Sequence, residues 1–92
     1  MYAVMILEEA QEDLKNIVGY IANENPGAAE TLGGELLDAA LSLESLPHRG
    51  SRVKRRRGLS KLIHGQYLIY YRVQEQKKLV EIVAFKHGAQ IK

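Results

Sequence analysis

The sequence has no cysteine, only two prolines in 92 residues, and no long hydrophobic run. Without cysteine, neither a disulfide nor a thiolate metal site can support a small core, so stability must come from packing. No apolar stretch approaches the roughly 18 residues that a membrane span needs. The N-terminus MYAVMIL is followed at once by acidic residues, unlike a signal peptide. We therefore expect a cytoplasmic protein without a membrane partner.

The composition is that of a small globular protein. Hydrophobic residues make up 46% of the chain and charged residues 26%, which is too apolar for a disordered protein. A chain of this length closes one hydrophobic core and has too little left for a second. We predict a single domain that spans residues 1–92.

Acidic residues are scarce in the second half of the chain. Up to Leu46 there are nine acids and one lysine, whereas from Pro47 onward there are twelve lysines and arginines against Glu75 and Glu81. The two halves carry formal charges of −8 and +10, although the net charge is +2. Such asymmetry is typical of a chain whose basic half meets an acidic partner. Alternatively, the acidic half neutralises the basic half within the fold.

Five positive charges fall within six residues of RVKRRRGL, residues 52–59, which we call the basic segment. Between Pro47 and Gly58 there are six bases and no acid, so local neutralisation is not expected. We predict that these bases form an exposed surface that binds a target. The residues of this predicted surface are Arg49, Arg52, Lys54, Arg55, Arg56 and Arg57.

The spacing of apolar residues predicts a strand followed by two helices. YAVMIL is a short apolar run typical of a buried strand. From Glu8 the apolar residues recur at helical spacing, with acids in the first turns, where the helix dipole favours them. Asn25 and Pro26 are suited to begin a second helix, which we expect to end at Pro47. The two helices form an antiparallel hairpin.

After the basic segment the pattern alternates as in β-strands. Three consecutive strands with short links form an antiparallel meander. In the last of them we expect Val80, Ile82 and Ala84 to share one face. We therefore predict an α+β fold, with an N-terminal strand, an antiparallel helical hairpin and a three-stranded antiparallel meander. The predicted strands of the meander lie in LSKLIH, QYLIYYRV and LVEIVAF.

The second helix has two unusual features. Gly33 and Gly34 lie in its middle, where each costs about 1 kcal/mol relative to alanine, and a close approach of the two helices would explain them. Leu37 and Leu41 lie one turn apart on a different face from the main apolar stripe. This pair indicates either a broad core-facing surface or a groove for a protein partner.

Several stretches resemble the RelE/ParE superfamily of toxins from bacterial type II toxin–antitoxin systems, most closely its ParE-like branch. The resemblance covers nearly the whole chain, and the order and spacing of the stretches carry it. It implies a helical hairpin on an antiparallel sheet, in agreement with the apolar pattern. The stretches are EEAQEDLKNIVGYIANENPGAAE, LESLPHRGSR, YLIYYRV and VEIVAFKHGAQ.

The resemblance implies two alternative targets. ParE-like toxins act on DNA gyrase and block replication, without an established hydrolytic site. RelE-like toxins enter the ribosome and cut mRNA. Both kinds are held inactive by a cognate antitoxin, for which Leu37 and Leu41 are the candidate contacts here. The long helical hairpin and the NPGAAE turn favour gyrase as the partner, whereas the strongly basic segment keeps the ribosome and mRNA as the alternative.

Cleavage of mRNA would need a base, an acid and cations around the reacting phosphate. Histidine suits either proton-transfer role because its ordinary pKa is about 6.5. His87 is the preferred proton carrier, because RelE-like enzymes place catalytic residues late in the chain, although ParE-like sequences also have a histidine there. Solvated histidines without a role are the alternative. The candidates are His87, His64 and His48 as proton carriers, with Arg72 and Lys86 as cations.

Other chemistry has little support in the sequence. There is no metal-ligand spacing, no glycine-rich phosphate loop and no recognisable nucleophile motif, so we predict neither a metal nor a cofactor. A simple nucleic-acid-binding module is a third possibility. Nothing resembles a helix-turn-helix, however, and the basic residues do not lie along a helix.

Overall fold

The computed structural model describes residues 1–88. One strand, two α-helices and a short 3-10 turn precede four further strands. The predicted order of elements is confirmed, and one short strand, β2, is added to it. The elements are β1 (Ala3–Ile6), α1 (Glu8–Ala22), α2 (Pro26–Leu41), the 3-10 turn (Ser42–Glu44), β2 (Ser51–Arg52), β3 (Ser60–His64), β4 (Tyr67–Gln74) and β5 (Leu79–His87).

The strands form one five-stranded sheet in the order β1-β5-β4-β3-β2. β1 runs parallel to β5, and every other neighbouring pair is antiparallel. Between the two parallel strands the chain passes through the helical hairpin and then through β2, β3 and β4, which gives the long connection that parallel strands require. The predicted α+β architecture is therefore confirmed.

The residues at the two ends of α2 explain where this helix begins and ends. The Asn25 side chain accepts a hydrogen bond from the Ala28 N–H at 3.0 Å, and Pro26 begins α2, as predicted. The predicted end at Pro47 is wrong, because α2 ends at Leu41. The Ser42 hydroxyl donates to the Ala39 carbonyl at 2.6 Å, and the chain tightens into the 3-10 turn. Within residues 1–88, neither helix has the length and apolar character to cross a membrane.

The hydrophobic core lies between the helical hairpin and one face of the sheet. Tyr71 and Phe85 are its largest fully buried side chains. Residues on the opposite sheet face, such as Ile63 and Arg72, are exposed. The sheet therefore has one covered face and one open face. The core cluster consists of Ala10, Leu36, Ala40, Leu43, Leu62, Ile69, Tyr71, Val80, Ile82 and Phe85.

A β-bulge changes which residues of β5 face the core. Tyr70 pairs with Ala84, whereas Tyr71 pairs with Ile82, so Val83 is left without a partner in β4. The extra residue reverses the alternation beyond it. The prediction that Ala84 shares a face with Val80 and Ile82 is therefore wrong, and Phe85 is buried in the core instead.

The second half of β5 extends past the end of β1, and α1 lies beside it. β1 pairs only as far as Ile82. Beyond that point the Phe85 N–H donates to the Asp13 carboxylate at 3.1 Å. A side chain of α1 thus replaces the missing strand neighbour and satisfies a backbone donor.

Candidate functional site

The basic segment has a defined backbone conformation. The Val53 N–H donates to the Leu59 carbonyl at 2.9 Å, and two further backbone bonds, Arg56 to Val53 and Leu59 to Arg56, close turns inside it. Arg55 and Gly58 have left-handed φ angles of 65° and 78°. Glycine adopts this conformation without cost, but an arginine is strained there. The segment is therefore a double turn with a strained arginine at its tip.

A buried tyrosine anchors the chain just before the basic segment. The Gly50 N–H donates to the Tyr71 hydroxyl at 3.0 Å. A Cβ at position 50 would collide with the Lys61 carbonyl oxygen and the Tyr71 hydroxyl, so only glycine fits against β3. β2 then pairs with β3 through Ser51 and Arg52. These contacts connect the basic segment to the hydrophobic core.

The positive charges of the basic segment have no acidic partner within residues 1–88. Of the nine acids in the first half, Asp13 and Glu35 pair with Lys86 and His64, and within residues 1–88 none forms an ion pair with the basic segment. The alternative that the acidic half neutralises the basic half therefore holds for Lys86, which pairs with Asp13, but not for the basic segment in the described part of the chain. The residues without an ion pair there are Arg52, Lys54, Arg55, Arg56 and Arg57.

A cleft of about 780 Å³ opens beside the basic segment on the covered side of the sheet. Glu75 is its one acid among the described residues, and it contacts His48 at 2.7 Å and the Tyr2 hydroxyl at 2.7 Å. The hydrogen bond from Tyr2, with a smaller contribution from His48, lowers the pKa of the Glu75 carboxyl. The cleft is lined by His48, Arg52, Val53, Arg55, Arg56, Arg57, Gly58, Leu59, Ser60, Val73 and Glu75.

The same arginines also reach the open side of the sheet. A smaller cleft of about 330 Å³ lies there. The basic segment therefore stands at one end of the sheet and presents positive charge on both sides of it. This second cleft is lined by Arg55, Arg56, Arg57, Leu59, Arg72 and Val83.

The histidine candidates occupy the other end of the sheet. His64, Tyr67 and His87 form one row across β3, β4 and β5. His64 contacts Glu35 at 3.0 Å, and His87 contacts Gln66 at 3.1 Å and packs edge-to-face with the Tyr67 ring, with 5.1 Å between the ring centroids. His48 is separate from this row, in the basic cleft. Among residues 1–88, no three acidic or histidine side chains converge as metal ligands.

The cation candidates do not join the histidines around one point. Arg72 pairs in register with Glu81, five residues along β4 from Tyr67, a separation of about 16 Å at roughly 3.3 Å per residue. The Arg72 Nε lies 3.9 Å from Glu81, and the Lys86 Nζ lies 3.6 Å from Asp13. His87 and Arg72 therefore cannot act on the same phosphate in this arrangement.

The remaining predicted residues lie on or near the helical hairpin. Leu37 and Leu41 are 38% and 44% exposed, so they form an apolar surface and not part of the core. The Arg49 guanidinium donates to the Ser42 hydroxyl at 2.7 Å, which directs it toward the end of α2 and away from the basic segment. The sequence does not reveal the anchor formed by Gly50 and Tyr71, because only the fold brings these two residues together.

The chain matches the family model described as the ParE toxin of type II toxin–antitoxin systems, parDE, over residues 4–92. A comparison with curated protein sequences found no match.

Solved structures with the same fold include toxins of both branches. A chain of the chromosomal ParDE toxin–antitoxin system from P. aeruginosa has a TM-score of 0.82 at 18% identity, covering 95% of this chain and 96% of that chain. The RelBE2 toxin–antitoxin complex of Mycobacterium tuberculosis gives 0.73 at 22% identity, with 94% and 96% covered. The isolated E. coli RelE toxin gives 0.62 at 17% identity, with 96% and 85% covered. With the family match over most of its length, the chain belongs to the ParE toxin family of type II toxin–antitoxin systems.

Proposed function

We propose that this toxin inhibits DNA gyrase and thereby blocks replication. The observation that carries the proposal is the basic segment, whose five cations have no acidic partner in the described part of the chain. Charges held close together repel one another at separations below the Debye length of about 8 Å. A cluster that is not neutralised within the fold is suited to an acidic target. Membership of the ParE family supports gyrase as that target.

The alternative is cleavage of mRNA on the ribosome. His64 and His87 lie on the same row of the sheet, with the Tyr67 ring between their strands, which supports this activity. The position of Arg72 weighs against it, because the preferred proton carrier and the preferred cation are about 16 Å apart along the strand. We therefore favour gyrase inhibition without hydrolysis.

We also propose that a cognate antitoxin holds the toxin inactive by binding the hairpin. Leu37 and Leu41 present exposed apolar surface one turn apart on α2, which suits the apolar face of an amphipathic helix. The ParDE and RelBE2 structures with this fold are toxin–antitoxin systems, which supports such a partner.

Two assays on the purified toxin test the target. Gyrase supercoiling of a relaxed plasmid should stop, while mRNA on programmed ribosomes stays intact. His87→Ala should not change the inhibition of supercoiling, because the residue lies at the opposite end of the sheet from the basic segment. Site-specific mRNA cuts that His87→Ala abolishes would instead establish the endoribonuclease, with His87 as proton carrier.

A further inference from the structure

We propose that the basic segment binds the phosphate backbone of duplex DNA, so that the toxin contacts the DNA held by its target enzyme. This inference rests on the proposed action on gyrase and specifies what the basic segment recognises there. Arg52, Arg55, Arg56 and Arg57 all line the larger cleft. A guanidinium is always charged and presents donors in a planar fork that fits two phosphate oxygens.

The basic segment has a backbone conformation that is fixed before any ligand arrives. The Val53–Leu59 hydrogen bond closes the double turn, and the Gly50–Tyr71 bond anchors its base to the core. A preformed loop loses less conformational entropy on binding than a flexible one. The left-handed φ of 65° at Arg55 is strain of the kind that clusters at ligand-binding sites.

The position of the cations favours a ligand with repeated charges. The basic segment lines clefts on both sides of the sheet end, so its charges are spread across an edge and do not converge on one point. Duplex DNA carries a negative charge about every 1.7 Å along its axis. One backbone can therefore meet several of these arginines at once, whereas a single carboxylate or free phosphate meets one or two.

The lining of the cleft favours a phosphate backbone over a protein surface. Protein–protein hot spots are built on aromatic and large apolar anchors together with arginine. Neither cleft at the basic segment has a Phe, Tyr or Trp side chain in its lining, and the one imidazole there, His48, contacts Glu75. The exposed large apolar residues lie elsewhere, among them Leu37 and Leu41 on α2 and Tyr20 on α1. The basic segment thus has the charge of a recognition surface without the anchors that a protein partner needs.

The absence of Phe, Tyr and Trp from the lining of both clefts favours double-stranded over single-stranded nucleic acid. Proteins that bind single strands stack the bases on aromatic side chains, in addition to contacting the backbone with cations. The Tyr67 ring lies in the histidine row at the opposite end of the sheet. Contacts that are limited to phosphates also predict binding without sequence preference. Glu75 is the one acid in the lining of the larger cleft, where it contacts His48 and Tyr2 and faces four arginines, so the cleft keeps an excess of positive charge.

The test is a binding titration of the full chain with a fluorescent DNA duplex of about 20 base pairs, repeated at several salt concentrations. The Arg55→Gln/Arg57→Gln double variant should lose about tenfold or more in affinity, and the slope of log affinity against log salt should fall by about 2, one for each lost phosphate contact. The control is Lys15→Gln/Lys77→Gln, which removes two exposed charges outside the basic segment and should bind like the wild type. Melting temperatures of both variants check that they are folded.

Two further binding measurements, read together with the supercoiling assay, distinguish this inference from the alternatives. A single strand of the same length should bind more weakly than the duplex, and gyrase without DNA should bind wild type and double variant equally. Tighter binding of the single strand would overturn the assignment to duplex DNA. Weaker binding of the double variant to DNA-free gyrase would assign the basic segment to an acidic protein surface.

If the toxin inhibits gyrase without binding the duplex, the inference is wrong while the proposed function stands. If the toxin binds the duplex without inhibiting gyrase, the proposed function is wrong.

Discussion

The hydroxyl of the buried Tyr71 accepts a hydrogen bond from the backbone N–H of Gly50 at 3.0 Å. Tyr71 is fully buried in the core, and Gly50 immediately precedes β2 and the basic segment. One hydrogen bond therefore connects the hydrophobic core to the charged end of the sheet. A core residue in this position fixes the backbone at the start of the basic segment.

Tyr71→Phe keeps the packed ring and removes this connection. The Gly50 N–H loses its acceptor, so we expect the free energy of unfolding to fall by about 1 to 2 kcal/mol. Gyrase inhibition per folded molecule should also fall, because the basic segment is less well held. Urea unfolding and supercoiling assays measure the two effects. Tyr67→Phe is the control, and unchanged inhibition by Tyr71→Phe would show that the anchor serves stability alone.

Gly50→Ala should destabilise the fold by several kcal/mol, because the new Cβ collides with the backbone carbonyl of Lys61 and with the Tyr71 hydroxyl. The Lys61 carbonyl belongs to β3, which is paired with a strand on each side, so its backbone cannot move aside easily. Gly34→Ala is the matched control. Position 34 lies inside α2 with open space around it, so alanine there should stabilise the protein by about 0.5 to 1 kcal/mol. Thermal unfolding of both variants distinguishes a required glycine from a replaceable one.

Arg55→Gly should raise stability and lower activity together. Glycine relieves the left-handed strain at φ 65°, which is of the order of 1 kcal/mol, and it removes one cation from the cluster. In a 92-residue protein, a gain of this size raises the melting temperature by about 4 to 8 °C. Gly58→Ala tests the backbone effect by itself. Its φ of 78° disfavours alanine, so its melting temperature should fall. A lower melting temperature for Arg55→Gly would contradict the strain argument.

Leu37→Glu/Leu41→Glu should weaken antitoxin binding by several kcal/mol in total, since carboxylates would enter an apolar contact. The free toxin should keep its stability to within about 1 kcal/mol, because both leucines are already exposed to solvent. Ile63→Glu is the control: this residue is 62% exposed on the open face of the sheet, away from α2. Calorimetric titration with the antitoxin gives the affinities. Equal affinities for all three proteins would place the antitoxin elsewhere.

The Tyr2–Glu75 hydrogen bond predicts a pH-dependent effect of Tyr2→Phe. The bond lowers the pKa of Glu75 and raises that of Tyr2. A lowered carboxyl pKa stabilises the fold above the ordinary pKa of glutamate, and this contribution is lost as the pH falls through the lowered value. At alkaline pH the stabilisation by this hydrogen bond is lost as the pH rises through the raised pKa of Tyr2, above the ordinary tyrosine value of about 10. The melting temperatures of wild type and Tyr2→Phe should therefore differ at pH 7 and converge as the pH falls through the lowered pKa of Glu75. A constant difference would exclude this coupling.

Local chemistry is the predictable part of the fold. The Asn25 cap and the Pro26 start are properties of adjacent residues, and both predictions are confirmed. The position of Phe85 is not predictable in this way, because the bulge arises from the pairing of β4 with β5 and leaves no mark in β5 alone. The two mid-helix glycines differ in whether a close approach of the helices explains them. A Cβ at Gly33 would lie 3.2 Å from Val18 of α1, as expected for close helices, whereas Gly34 has no such neighbour.

The candidate site is predictable in composition but not in arrangement. The density of charge in residues 52–59 by itself indicates an exposed basic surface, and the absence of ion pairs there, within residues 1–88, agrees with that prediction. Residue type alone selects the catalytic candidates. Only the strand register shows that His64 and His87 share a row while Arg72 lies far along β4. Distances across a sheet depend on pairing between distant segments, which residue type does not encode.

The sheet ends, on the side of the basic segment, in a strand of two residues, Ser51–Arg52. An outer strand with unpaired backbone groups is a template on which other chains add as further strands. Two toxin molecules that approached each other through this edge would bring two basic segments into contact, and their like charges would repel. This repulsion thus also opposes aggregation of the free toxin through its sheet edge. High salt or a polyanion screens that repulsion, so concentrated antitoxin-free toxin should be least soluble under those conditions.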